Sequence, residues 1–160
     1  MPIGHTLDVL SKGVATVITA AASLALLFMM GVVVYDVIAR SIDPAWRLFG
    51  ALDLVEFSLN WMICLSIAAA IFAGQVIAVD LIDSLDRRGL LQWLGLLALL
   101  TILSLMGWQT IRPALNVLSW GEITFDLGLP KFWYWIAIWT GLALSIIGVA
   151  WQLLRKILPR

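Results

Sequence analysis

The stretch VATVITAAASLALLFMMGVVV, Val14–Val34, carries no charged side chain and no proline, and its reading decides the fold. At about 1.5 Å of rise per helical residue, roughly 17 to 25 apolar residues reach across a hydrocarbon core about 30 Å thick, and this run is long enough. Three more such runs follow, Leu54–Phe72, Leu90–Trp108 and Phe132–Leu153. Composition points the same way, because 62% of the 160 residues are hydrophobic, against roughly 45–50% in an ordinary soluble domain. Backbone groups in lipid must be satisfied within the protein, and alternating strands of about ten residues are absent, so the runs are helices and not barrel strands. The expectation is an all-α integral membrane protein, a single domain over residues 1–160, with transmembrane helices near 14–38, 52–73, 90–112 and 131–154. The first run outlasts the roughly 7 to 15 residues of a signal-peptide core and has only His5 and Lys12 before it, so it reads as a retained helix.

An even number of spans puts both termini on one side of the membrane. Lys12, Arg87, Arg88, Arg155, Lys156 and Arg160 fall on that side, against Arg40, Arg47, Arg112 and Lys131 on the other. The bias of cytoplasmic loops toward Lys and Arg therefore favours cytoplasmic termini, and the basic tail Gln152–Arg160 at a helix end adds to it. The nine tryptophans suit the interface, where amphipathic rings collect: FWYW, Phe132–Trp135, belts the outer end of the last helix, while Trp93 and Trp151 mark inner ends. Trp61 lies near mid-depth and is expected to pack against another helix.

Several function classes drop out. The formal net charge is zero, so no basic surface points to nucleic acid. One histidine, His5, precedes the first helix, which leaves no paired intramembrane imidazoles for haem. One cysteine, Cys64, supports neither a disulfide relay nor a multi-thiolate metal site and reads as a small core residue. No Gly-rich phosphate loop and no Gly-x-Ser-x-Gly serine occurs. The expectation is a chain with no catalytic residue, no cofactor and no metal of its own.

Between the second and third runs lies VIAVDLIDSLDRRG, Val76–Gly89. At about 100° per residue, Ile77, Ala78, Leu81, Ile82 and Leu85 share an arc of about 140°, with Asp80, Asp83, Asp86 and Arg87 opposite. Such segregation predicts an amphipathic helix over about 76–88 lying flat in the interface. DPAWRLFGALD, Asp43–Asp53, is a weaker candidate for a second surface segment.

The second run opens with three polar groups, Asp53, Glu56 and Asn60, spaced so that they lie within about 60° on one helical face. Cys64 and Ile67 continue the stripe. A carboxylate deep in a membrane costs on the order of 2.5–3.5 kcal/mol on insertion scales, so it faces protein and finds a partner. The nearest cations along the chain are Arg40 and Arg47. The stripe serves either an ion or proton path or a lock between helices or subunits; helices one, three and four offer mainly Ser, Thr and Gly at matching depth, which favours the lock. Gly141, Ser145, Gly148 and Gln152 line one face of the fourth helix and permit close approach, either within the chain or to a partner. The third helix is expected either to continue through WQTIRPALNVLSW, Trp108–Trp120, or to end or kink at Pro113.

The order of these features resembles the small membrane subunit, the DctQ-like Q subunit, of tripartite ATP-independent periplasmic (TRAP) transporters. The residues that carry the resemblance are VVVYDVIARSI, Val32–Ile42, with Arg40; Glu56 sixteen residues later; IAVDLIDSL, Ile77–Leu85; and FDLGLPKFWYW, Phe125–Trp135. Where members often carry a histidine before the Ile-x-Val-Asp string, this chain has Val76. The resemblance implies a non-catalytic scaffold in a bacterial or archaeal cytoplasmic membrane. Its partners would be the lipid bilayer, a large elevator-type membrane subunit that binds the sodium ions, and a periplasmic substrate-binding protein that delivers an organic acid. It also implies that Arg40, Arg47, Asp53, Glu56 and Asn60 serve assembly, that the flat helix with Ile77, Asp80, Leu81 and Leu85 braces the surface, and that Arg112, Glu122, Asp126 and Lys131 meet the binding protein. Two other classes stay open on the residues alone: a membrane anchor for a peripheral or redox enzyme, and a self-assembling pore lined by the Glu56 stripe.

Overall fold

A computed structural model of the chain describes residues 3–74 and 90–157. Helix α1 (Ile3–Ile42) leads through one 3-10 turn (Pro44–Trp46) into α2 (Ala51–Phe72); α3 (Leu90–Trp120) and α4 (Phe132–Ile157) follow. All four are long and apolar enough to cross a membrane. The chain is thus an all-helical protein of four membrane-spanning helices, with no named strand among the described residues. The expected flat helix over about 76–88, with Ile77, Asp80, Leu81 and Leu85, lies outside the described residues.

Length decides how each helix meets the bilayer. The 22 residues of α2 rise about 33 Å, close to the hydrocarbon thickness, whereas the 40 of α1 and the 31 of α3 rise about 60 and 46 Å. Both longer helices tilt or run past the lipid. Helix α3 continues through Pro113 to Trp120. A proline removes one backbone donor, and the Gln109 carbonyl it leaves without that partner lies toward the end of the span away from the termini, where water and headgroups can satisfy it.

The helices alternate in direction, and α1 packs on α2, α2 on α4, and α4 on α3. The last helix is therefore inserted between the second and third. Two clusters hold the row together. Ala15, Ile18 and Ala22 of α1 meet Leu65, Ala68, Ala69 and Phe72 of α2, with Trp61 and Leu144 packed alongside, so Trp61 sits against other helices at mid-depth. Ile71 of α2, Leu96 and Leu103 of α3 and Val149 of α4 form the second cluster. Alanines at the first contact let two backbones approach closely, the usual means of helix association where lipid competes equally for apolar side chains. Between 11% and 28% of each span's most apolar window is buried, so most of the apolar surface is left for lipid or for other chains to cover.

Candidate functional site

At the end of the bundle away from the termini, two buried carboxylates each fasten a loop. Asp36, one turn before Arg40 on α1, is 8% exposed. It pairs with Arg40 at 2.6 Å and accepts the Leu48 N–H at 3.0 Å, which folds the α1–α2 connection back over the end of α1. Within that connection Asp43 accepts the Ala45 N–H at 2.9 Å and so caps the 3-10 turn. Asp53, in the first turn of α2, is 5% exposed and accepts the Leu127 N–H at 2.8 Å from the α3–α4 loop. The Thr124 side chain and the Asp126 backbone are further donors to the same carboxylate. Hydrogen bonds from main-chain donors to an ionised acceptor are among the stronger polar contacts, and burial strengthens them.

The loop that Asp53 holds has its own frame. Ile123 and Pro130 form an antiparallel bridge. The Thr124 N–H donates to the Leu129 carbonyl and the Lys131 N–H to the Glu122 carbonyl, each at 2.9 Å. Leu129 N–H donates to the Thr124 hydroxyl at 3.0 Å, and Lys131 pairs with Glu122 at 3.1 Å. Leu127 then seats over Gly50, the residue before α2, where φ is 79° and an added Cβ would collide with the Leu127 side chain. Only glycine satisfies both the left-handed backbone and the close approach. Tyr134 completes the junction: its hydroxyl donates to the Asp53 carbonyl at 3.0 Å and its ring stands edge-on to Phe57 at 5.6 Å. Asn60 donates to the Tyr134 carbonyl at 3.5 Å, a long contact.

Farther down the bundle, the small face of α4 lies on α2. A Cβ on Gly141 would come within 2.5 Å of the Cys64 Cβ, and one on Gly148 within 2.9 Å of Ile71. Ser145 between them is buried, and the Gln152 amide donates to the Ile71 carbonyl in the last turn of α2.

The stripe Asp53, Glu56, Asn60 is thus divided among different tasks. Asp53 holds a loop and Asn60 reaches α4, while Glu56 is exposed and forms no ion pair among the described residues. Arg40, one of the cations nearest to the stripe along the chain, is committed to Asp36, and Arg47 is exposed in the first loop. Of the residues expected to meet a binding protein, Glu122 and Lys131 pair with each other, Asp126 sits half-buried in the same loop, and Arg112 is exposed on α3. Sequence reasoning missed the Asp36–Arg40 pair, whose i, i+4 spacing was visible, and the seat of Leu127 on Gly50, for which no local pattern exists.

What this arrangement does chemically is hold. Among the described residues no group of three or more His, Cys, Asp or Glu is placed to bind a metal ion. The span hydroxyls of Thr16, Thr19, Ser58, Ser66, Thr101 and Ser104 each donate to a carbonyl one turn earlier in their own helix.

Comparison with protein families matches residues 29–158 to one family, described as the DctQ component of tripartite ATP-independent periplasmic transporters. Searches of curated proteins and of solved structures each found no match.

Proposed function

Because the chain belongs to the DctQ family, the small component of TRAP transporters, we propose that it works as a static scaffold for the large membrane subunit of such a transporter. On this reading the large subunit carries the substrate and sodium sites and moves by an elevator-like mechanism, and a periplasmic binding protein delivers an organic acid to it. This chain contributes bundle surface and no catalytic step. The observation that carries the proposal is where its polar groups go. Asp36 and Asp53 fasten loops, Gln152 ties α4 to α2, and the span hydroxyls bond within their own helices. A solute path needs free polar groups from several helices at one depth, whereas Asp36, Asp53, Gln152 and the hydroxyls of Thr16, Thr19, Ser58, Ser66, Thr101 and Ser104 are committed to internal bonds.

The same reading places both termini in the cytoplasm and the Asp53 junction on the periplasmic side, where Arg112, Glu122, Asp126 and Lys131 are contacts for the binding protein. Arg40, Arg47, Asn60, Gly141, Ser145 and Gly148 then serve the chain's own packing and loop geometry, which keeps the outer surface in shape for assembly. Sodium belongs to the large subunit and no cofactor to this one.

Affinity purification of the tagged chain from its native membrane in mild detergent, followed by mass spectrometry, tests the proposal. A much larger polytopic protein recovered in near-equal amount is the expected result. Recovery of the chain alone as a homo-oligomer, or with a soluble enzyme, would refute it in favour of a pore or an enzyme anchor.

A further inference from the structure

Three acidic residues lie inside the described spans before the α3–α4 loop: Asp36, Asp53 and Glu56. The chain provides for two of them, with an arginine and a main-chain N–H for Asp36 and main-chain donors for Asp53. Glu56 is different. It is exposed about one turn inside α2, without an ion pair among the described residues. On one side of it lie Leu52, Leu59, Ile63 and Ile67, all exposed, which with Glu56 share an arc of about 80°; on the other lie Asp53 and Asn60, which bond to the α3–α4 loop and to α4. A carboxylate beside such an apolar strip in hydrocarbon requires a donor, and none of the described residues supplies one to Glu56.

Toward the inner half of the same helix the stripe runs into a groove between α1 and α2 of about 280 Å3, lined by Thr19, Ser23, Leu26, Ser66 and Ala70 among others. Thr19 and Ser66 already donate to the carbonyls of Ala15 and Met62, so these two hydroxyls ask no polar partner of an occupant. Small side chains at such a place let another helix approach closely.

We propose that the face made by Glu56, Leu59, Ile63 and the α1–α2 groove at Ala70 is the docking site for one membrane-spanning helix of the large TRAP subunit, which brings an arginine or lysine to Glu56. The inference rests on the small-subunit reading above and deepens it by naming the face. Fourteen positions separate Glu56 from Ala70, which is about 21 Å of helix, so the partner helix carries its cation about that far from the segment seated in the groove. An anionic phospholipid is the poorer occupant, since its chain would fill the groove but its headgroup would bring negative charge to the carboxylate.

The test uses the complex, with the tagged chain co-expressed beside the large membrane subunit of the same transporter. Glu56→Lys and Ala70→Trp should each lower recovery of the large subunit at least tenfold. Leu97→Trp, on the exposed side of α3, should leave it unchanged. Membrane levels of the tagged chain serve as the check on folding, and a photoreactive residue at Ile63 reads the contact without altering the carboxylate or the groove. The expected adduct has the summed mass of the two subunits. Normal recovery with both variants, or an Ile63 adduct formed only with lipid or with a second copy of this chain, would overturn the assignment while leaving the scaffold role standing. If the unaltered chain recovers no large subunit, the small-subunit reading falls and this inference falls with it.

Discussion

Replacing Gly141 with alanine adds one methyl group where α4 crosses closely over α2. The new Cβ would lie 2.5 Å from the Cys64 Cβ and 3.0 Å from the Cys64 backbone. An ordinary carbon contact is about 3.5–4.0 Å, so α4 and α2 must separate by something like 1 Å. Rotating a side chain cannot relieve the clash, because part of the obstacle is main chain. Overpacking of this kind costs about 1–3 kcal/mol. Against it stands the gain from replacing glycine in a helix interior, about 0.5–1 kcal/mol. The net expectation is a loss of up to about 2.5 kcal/mol, and relative to an unhindered Gly→Ala change the whole overpacking cost of about 1–3 kcal/mol should appear. Gly148→Ala meets the ends of Ile71 and Phe72 side chains at 2.9 and 3.2 Å, which can yield, so its loss should be smaller. Gly107→Ala, with nothing within 4 Å, should be neutral or stabilising. Unfolding in detergent by titration with denaturing surfactant, followed through helical circular dichroism, gives all three values on one scale. If Gly141→Ala proved as stable as Gly107→Ala, the close crossing of α2 and α4 would be refuted.

Asp53→Asn keeps an acceptor oxygen but loses the charge and adds an N–H where donors already point. Exchange of the Leu127 amide should rise roughly tenfold or more while amides in the middle of α2 stay protected, and unchanged exchange would show that Asp53 does not hold the loop. Gln152→Ala removes the donor to the Ile71 carbonyl and should lower stability by about 0.5–1.5 kcal/mol in the same surfactant titration; no loss would mean that this carbonyl needs no side-chain partner. Cysteines introduced at Ser119 and at Arg155, in a Cys64→Ala background, should react with a membrane-impermeant thiol reagent from opposite faces. In intact cells Ser119→Cys should label and Arg155→Cys should not, and the reverse pattern would invert the topology assigned from the Lys and Arg distribution.

Four spans were legible in the sequence because lipid imposes a length and an apolarity that no local detail can disguise. The face of α4 was legible too, since Gly141, Ser145 and Gly148 repeat at helical spacing, but whether it met this chain or another depended on where α2 lay. The polar stripe shows the limit most clearly. Helical periodicity places Asp53, Glu56 and Asn60 on one side of α2, yet Asp53 is met by a main-chain N–H 74 positions away. A backbone donor carries no side-chain signature, so a search for charged partners passes over it. Arg40 illustrates the converse: a nearer acid on its own helix, Asp36, had the stronger geometric claim than Glu56. The seat of Leu127 on Gly50 depends on a loop fold of its own and on no periodic pattern.

Uptake by proteoliposomes distinguishes a scaffold from a path most directly. Vesicles holding the large TRAP subunit should import the solute with its binding protein only when this chain is present, and vesicles holding this chain alone should pass neither solute nor sodium. Solute or ion flux through the chain alone, or undiminished uptake without it, would show that it is a conduit in the first case and dispensable to the transporter in the second.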